Sequence, residues 1–88
     1  MSAYGSVCGR CYCEYTESVK EAVCVGMDMS EVPSQLPTWV ERITIDHNSI
    51  NYVDLNQLSR IYPNLQYLSL KDNPICLKQT IKAKVSLF

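Results

Sequence analysis

Glycine is scarce in this chain, three residues in all, and none lies in a run that could cradle a phosphate. The single histidine, His47, has no second histidine and no neighbouring cysteine with which to share a metal ion or a proton, and neither a Ser/His/Asp set nor an H-E-x-x-H motif occurs. No catalytic residues, metal or cofactor are therefore expected, and the chain does not read as an enzyme. Charge is nearly balanced at a formal −1, which offers no field for a polyanion, so nucleic acid is not an expected partner. No apolar stretch approaches the roughly 20 residues of a membrane span, and membrane insertion is not expected either. The chain opens without a basic region followed by an apolar run, and it has no Asn-x-Ser/Thr sequon. The compartment must be judged from its cysteines.

What is present is a pattern written twice. Val40-Glu-Arg-Ile43-Thr-Ile45-Asp-His-Asn48-Ser-Ile50 and Leu65-Gln-Tyr-Leu68-Ser-Leu70-Lys-Asp-Asn73-Pro-Ile75 share apolar-x-x-apolar-x-apolar-x-x-Asn-x-apolar, at an offset of 25 residues. In Ile43-x-Ile45 and Leu68-x-Leu70 the apolar residues alternate, so a short strand sends them to one face and sends Arg42, Thr44 and Asp46, or Tyr67, Ser69 and Lys71, to the other. A chain that turns sharply out of each strand leaves backbone groups in the interior. An asparagine amide has two donors and an acceptor to offer them, which is the expected role of Asn48 and Asn73. The 25-residue period lies in the leucine-rich range and predicts an α/β solenoid: a short right-handed coil with parallel strands on its concave face.

Eighty-eight residues, 47 % of them apolar, make one small domain of a size where cross-links commonly supplement the core. Four of the five cysteines, Cys8, Cys11, Cys13 and Cys24, crowd the first third in the manner of a disulfide staple from an oxidising compartment. Two rival uses stand beside that one. Cys8-x2-Cys11 could be half of a zinc site, making the chain a small zinc-binding adaptor, although no second C-x2-C follows. Cys8-Gly-Arg-Cys11 also fits a redox C-x-x-C, but no βαβ context surrounds it.

The run from Val7 to Pro37, VCGRCYCEYTESVKEAVCVGMDMSEVPSQLP, resembles the cysteine-rich amino-terminal cap of extracellular leucine-rich-repeat proteins. There a C-x-C-bearing cluster and a fourth cysteine in a strand lead through an apolar-x-x-apolar-Pro run into the first repeat. With both repeats the resemblance spans residues 7 to 76. It implies disulfides Cys8–Cys13 and Cys11–Cys24, with a closing strand at Ala22 to Val25. The long gap between Cys13 and Cys24 departs from the pattern, so Glu14 to Glu21 is expected to form a small hairpin or loop of its own. The implied layout is one domain, with residues 1–37 as cap and lead-in, 38–76 as two repeats and 77–88 as a carboxyl-terminal tail.

Between the repeats, Leu55 to Ile61 suits a short helical turn ended at Pro63. Tyr52 and Tyr62 read as rim residues with wet hydroxyls, and Trp39 as packing at the junction of cap and first repeat. In the tail, Leu77, Ile81, Val85 and Phe88 recur at helical intervals, and a helix is expected there in preference to an incomplete strand at Val85 to Leu87. Cys76 is the odd cysteine, in an Asn-Pro-x-Cys context that resembles the start of a carboxyl-terminal cap.

These features together predict a secreted or extracellular, non-catalytic protein-binding module that recognises a protein of unknown identity. Its ligand-binding face would carry Arg42, Thr44, Asp46, Tyr67, Ser69 and Lys71. The alternative is a structural capping or oligomerisation fragment of a larger ectodomain, which self-associates through its open carboxyl-terminal end with Cys76 as a bridge.

Overall fold

The computed structural model describes residues 4–75 and 86–87, and the side chains of residues 7–75. One open, mixed sheet organises these residues, with its strands in sequence order: β1 (Tyr4–Cys8), β2 (Cys11–Tyr15), β3 (Lys20–Val23), β4 (Arg42–Thr44), β5 (Tyr67–Ser69) and β6 (Ser86–Leu87). The first three strands are antiparallel, and from β3 onward each pair is parallel. Gly9 closes the β1–β2 hairpin at φ 69°, as the first of two turn residues between the paired Cys8 and Cys11, a position where a two-residue loop takes a glycine. The turn from β2 to β3 is held by Thr16, whose Oγ1 accepts from the backbone N–H groups of Ser18 and Val19 at 3.2 and 2.8 Å.

The predicted solenoid is not the fold. A coil of equivalent turns requires its strands to recur at one interval, whereas here Glu21 pairs with Arg42, Arg42 with Tyr67 and Tyr67 with Ser86, three unequal steps. The turns also differ in content. The connection from β3 to β4 has no helix, and that from β4 to β5 contains α1 (Leu55–Ile61), the one helix of the described residues. Half of the sheet is an antiparallel hairpin system that no repeating unit generates. The 25-residue match therefore describes the two neighbouring strands β4 and β5, and it does not extend into a leucine-rich-repeat coil.

The tail differs from expectation as well. Ser86 and Leu87 pair with Tyr67 and Leu68 as a parallel strand, where a helix was expected. Residues 76–85 and 88, with Cys76 and the remainder of the expected helix, lie outside the described residues.

A single core covers one face of the sheet. Cys11 and Cys13, Ala22 and Cys24, Ile43 and Ile45, and Leu68 and Leu70 point into it from successive strands. Met29, Leu36, Val40, Ile50, Val53, Leu55, Leu58, Tyr62 and Leu65 close it from the other side. Helix α1 begins at Asp54, whose carboxylate accepts from the Gln57 N–H at 3.1 Å, and it buries Leu55 and Leu58. Tyr62 is no rim residue. It is 1 % exposed, and its hydroxyl donates to the Pro33 carbonyl at 2.6 Å and accepts from the Leu36 N–H at 3.1 Å. Burial raises its pKa above the ordinary tyrosine value, against a smaller lowering by the Leu36 bond. Trp39 packs on the core with its ring edge-on to Tyr15, 4.9 Å between centroids.

Candidate functional site

The sequence alternation that buries one face of the sheet leaves the other face open, and the site is built on it. Ile43 and Ile45 are fully buried, so Arg42, Thr44 and Asp46 emerge on the opposite side; Leu68 and Leu70 do the same for Tyr67, Ser69 and Lys71. Pairing of Arg42 with Tyr67 and of Thr44 with Ser69 sets the two rows in step. All six residues line one groove of about 360 Å³.

Within the groove the polar groups are ordered by one another. The Arg42 guanidinium lies over the Tyr67 ring at 4.8 Å, a cation–π contact that orders it within the groove. Thr44 Oγ1 donates to Glu21 Oε2 at 3.0 Å on the neighbouring strand. Asp46 Oδ1 accepts from Ser69 Oγ at 2.7 Å and from the Lys71 N–H at 3.0 Å. Glu21 thus belongs to the site, although the sequence reading did not include it.

Tyr12 and the valines beside it were also missed. Tyr12 lies between the buried Cys11 and Cys13, so it must face outward; it is 52 % exposed and pairs with Val7, 77 % exposed, on one side and Val23 on the other. Val25, 42 % exposed, follows two residues after Val23, just past the end of β3. An apolar strip therefore runs beside the polar groove on one continuous face. The signal was available in the alternation of Cys11-Tyr12-Cys13, since fixing two cysteines inside fixes the residue between them outside.

The two asparagines hold the rim of this face in place. Asn48, 8 % exposed, accepts at Oδ1 from the N–H groups of Met27 and Met29, both at 2.9 Å, and donates from Nδ2 to the carbonyls of Cys24, Ile45 and Asp46. Asn73 repeats the arrangement one strand along, accepting from Ile50 N–H and donating to the carbonyls of Ile45, Leu70 and Lys71. The residues immediately before them, His47 and Asp72, have φ of 56° and 59°, and this left-handed step turns each amide inward. His47 Nδ1 and Asp72 Oδ2 form an exposed pair at 3.2 Å, screened by solvent.

Disulfides join Cys8 to Cys13 and Cys11 to Cys24, the pairs that the resemblance implied. All four sulfurs are thereby spent, which leaves no thiolate for the zinc site considered as a rival. Among the described residues no cluster of histidine, cysteine and carboxylate side chains could hold a metal ion, and no helix is long and apolar enough to cross a membrane. The end through which self-association was expected lies outside the described residues together with Cys76. Comparison with protein-family models, with curated proteins and with solved structures finds no match to this chain.

Proposed function

We propose that the chain is a non-catalytic protein-binding module that takes its partner on the open face of the sheet, in an oxidising, extracellular setting. The observation that carries this reading is the grouping, on one face, of a self-ordered polar groove and an exposed apolar strip. Tyr12 and Val7 contribute nothing to the core at 52 % and 77 % exposure, and apolar and aromatic groups beside an ordered arginine are the composition of a recognition patch. Two disulfides in so small a domain agree with secretion. The face is small beside the roughly 800 Å² that each partner contributes to a standard interface, so binding of modest affinity is expected.

An array of secreted proteins probed with the disulfide-intact chain tests the reading. Tyr67→Ala should weaken the bound partner at least tenfold, and Tyr52→Ala, 62 % exposed but on the connection that precedes α1, should leave binding unchanged. Loss with Tyr52→Ala alone would move the binding surface elsewhere and end the proposal.

A further inference from the structure

The proposed binding face treats its two signs of charge differently. Two of its carboxylates are engaged: Glu21 accepts from Thr44, and Asp46 accepts from both Ser69 and the Lys71 backbone; Glu14 stands on β2 beyond Glu21, one strand further from Arg42. Its cations are not. Neither Arg42 nor Lys71 enters an ion pair among the described residues, where the pair found is His47–Asp72. Arg42 is moreover pre-ordered on the Tyr67 ring, so its planar fork can donate to a carboxylate at little further cost in side-chain freedom.

Two spacings away across the sheet lies the apolar row. Register pairs Arg42 with Glu21 on β3, and Tyr12 with Val23 one pleat repeat further along. Strand spacing and rise place Arg42 about 12 Å from Tyr12, the reach of residues three or four apart in an extended chain. We infer that this face selects an extended protein segment that presents a carboxylate to Arg42 and an apolar or aromatic side chain to Tyr12 and Val23. The inference rests on the reading of the open face as the binding surface, and it adds the chemistry of what binds there. A polyanion such as nucleic acid is disfavoured on the same face by Glu14, Glu21 and Asp46, which would repel a run of phosphates while Arg42 met only one.

The probe is a library of nine-residue synthetic peptides with randomised acidic, basic and apolar positions, screened against the disulfide-intact chain. A second library, identical except that Asp and Glu are replaced by Asn and Gln, is screened in parallel, and the selected peptides are mapped by amide chemical-shift changes. Peptides that carry an acid three or four residues from an apolar side chain should be enriched and should shift β2 to β5. Their affinity should fall at least tenfold with R42Q, partly recover with Arg42→Lys, and fall with Tyr12→Ser, all in variants with unchanged circular dichroism. Peptides that shift the same strands but bind equally well without acids, or equally well to R42Q, overturn the carboxylate inference and leave the binding face standing. Selected peptides that shift residues around α1 instead, or no selected peptide at millimolar concentration, overturn both.

Discussion

Asn48 concentrates more backbone hydrogen bonding than any other described side chain, with two N–H groups and three carbonyls depending on one buried amide. An Asn48→Leu substitution keeps the volume but leaves those groups in an apolar enclosure, and each buried group without a partner costs about 1–3 kcal/mol. The Ile45 and Asp46 carbonyls keep other donors in Asn73 Nδ2 and the Gly26 N–H, and the Met27 N–H is only part-buried, so the Met29 N–H and the Cys24 carbonyl are the groups left buried without a partner. The expected loss is therefore about 2–6 kcal/mol, which approaches the whole stability of a small domain. Asn73 is half-buried and water can replace part of its network, so Asn73→Leu should cost roughly half as much. Urea unfolding of the two variants checks the order, and equal losses would show that Asn48 is not the tighter of the two. Tyr62 gives a different kind of test. Its raised pKa means that the unfolded chain loses this proton first, so the stability linked to it is complete below about pH 10 and declines as pH rises from there through the folded value. Phenolate absorbance should show a late-ionising component, and Tyr62→Phe should remove it.

Among the elements, the β1–β2 hairpin depends most visibly on one backbone conformation. Gly9 has φ 69° and no atom near the place where a Cβ would stand, so Gly9→Ala meets no steric obstacle and its cost isolates the left-handed backbone, about 1–2 kcal/mol. A thermal melt with Tm lowered by about 4–16 °C is the expected result; an unchanged Tm would place the glycine's role elsewhere. Other elements show what a sequence can and cannot reveal. Strands β4 and β5 were legible because burial on one face imposes period two on Ile43-x-Ile45 and Leu68-x-Leu70, and α1 because Leu55 and Leu58 at helical spacing stop short of Pro63. The hairpin partner β1 was not read at all, since Tyr-Gly-Ser-Val has no alternation strong enough to mark a strand. Tyr62 was misjudged because its position before proline speaks of backbone geometry and not of depth. The interior carbonyl of Pro33 that receives its hydroxyl is 29 residues away, beyond the range of any local pattern.

At the scale of the molecule, the described residues form one continuous sheet whose antiparallel and parallel halves share β3, and this has a consequence for how it comes apart. The local match between residues 40–50 and 65–75 suggested turns that could be added or removed singly, but the unequal strand intervals and the single helix among the described residues give no such modular unit. Both disulfides lie in the antiparallel half, and Cys11–Cys24 ties β2 to the residue that follows β3. In the chain-entropy account, loops of this length give about 2 and 3 kcal/mol for the shorter and longer bridge, comparable with everything a core of this size supplies. Cys24 is also fully buried beside Ile45, and its N–H donates to the Thr44 carbonyl at 2.8 Å, so loosening it frees the centre of the sheet and not an edge. Full reduction is accordingly expected to unfold all strands together. Hydrogen exchange after reduction should show the amides of Ile45 and His47, which lie just past β4 and donate to the Ser69 and Lys71 carbonyls at and just past the end of β5, losing protection as completely as those of β2. If β4 and β5 instead stayed protected while β1 to β3 exchanged, the parallel half would be an independent unit, and the cohesion assigned here to the shared strand would be disproved.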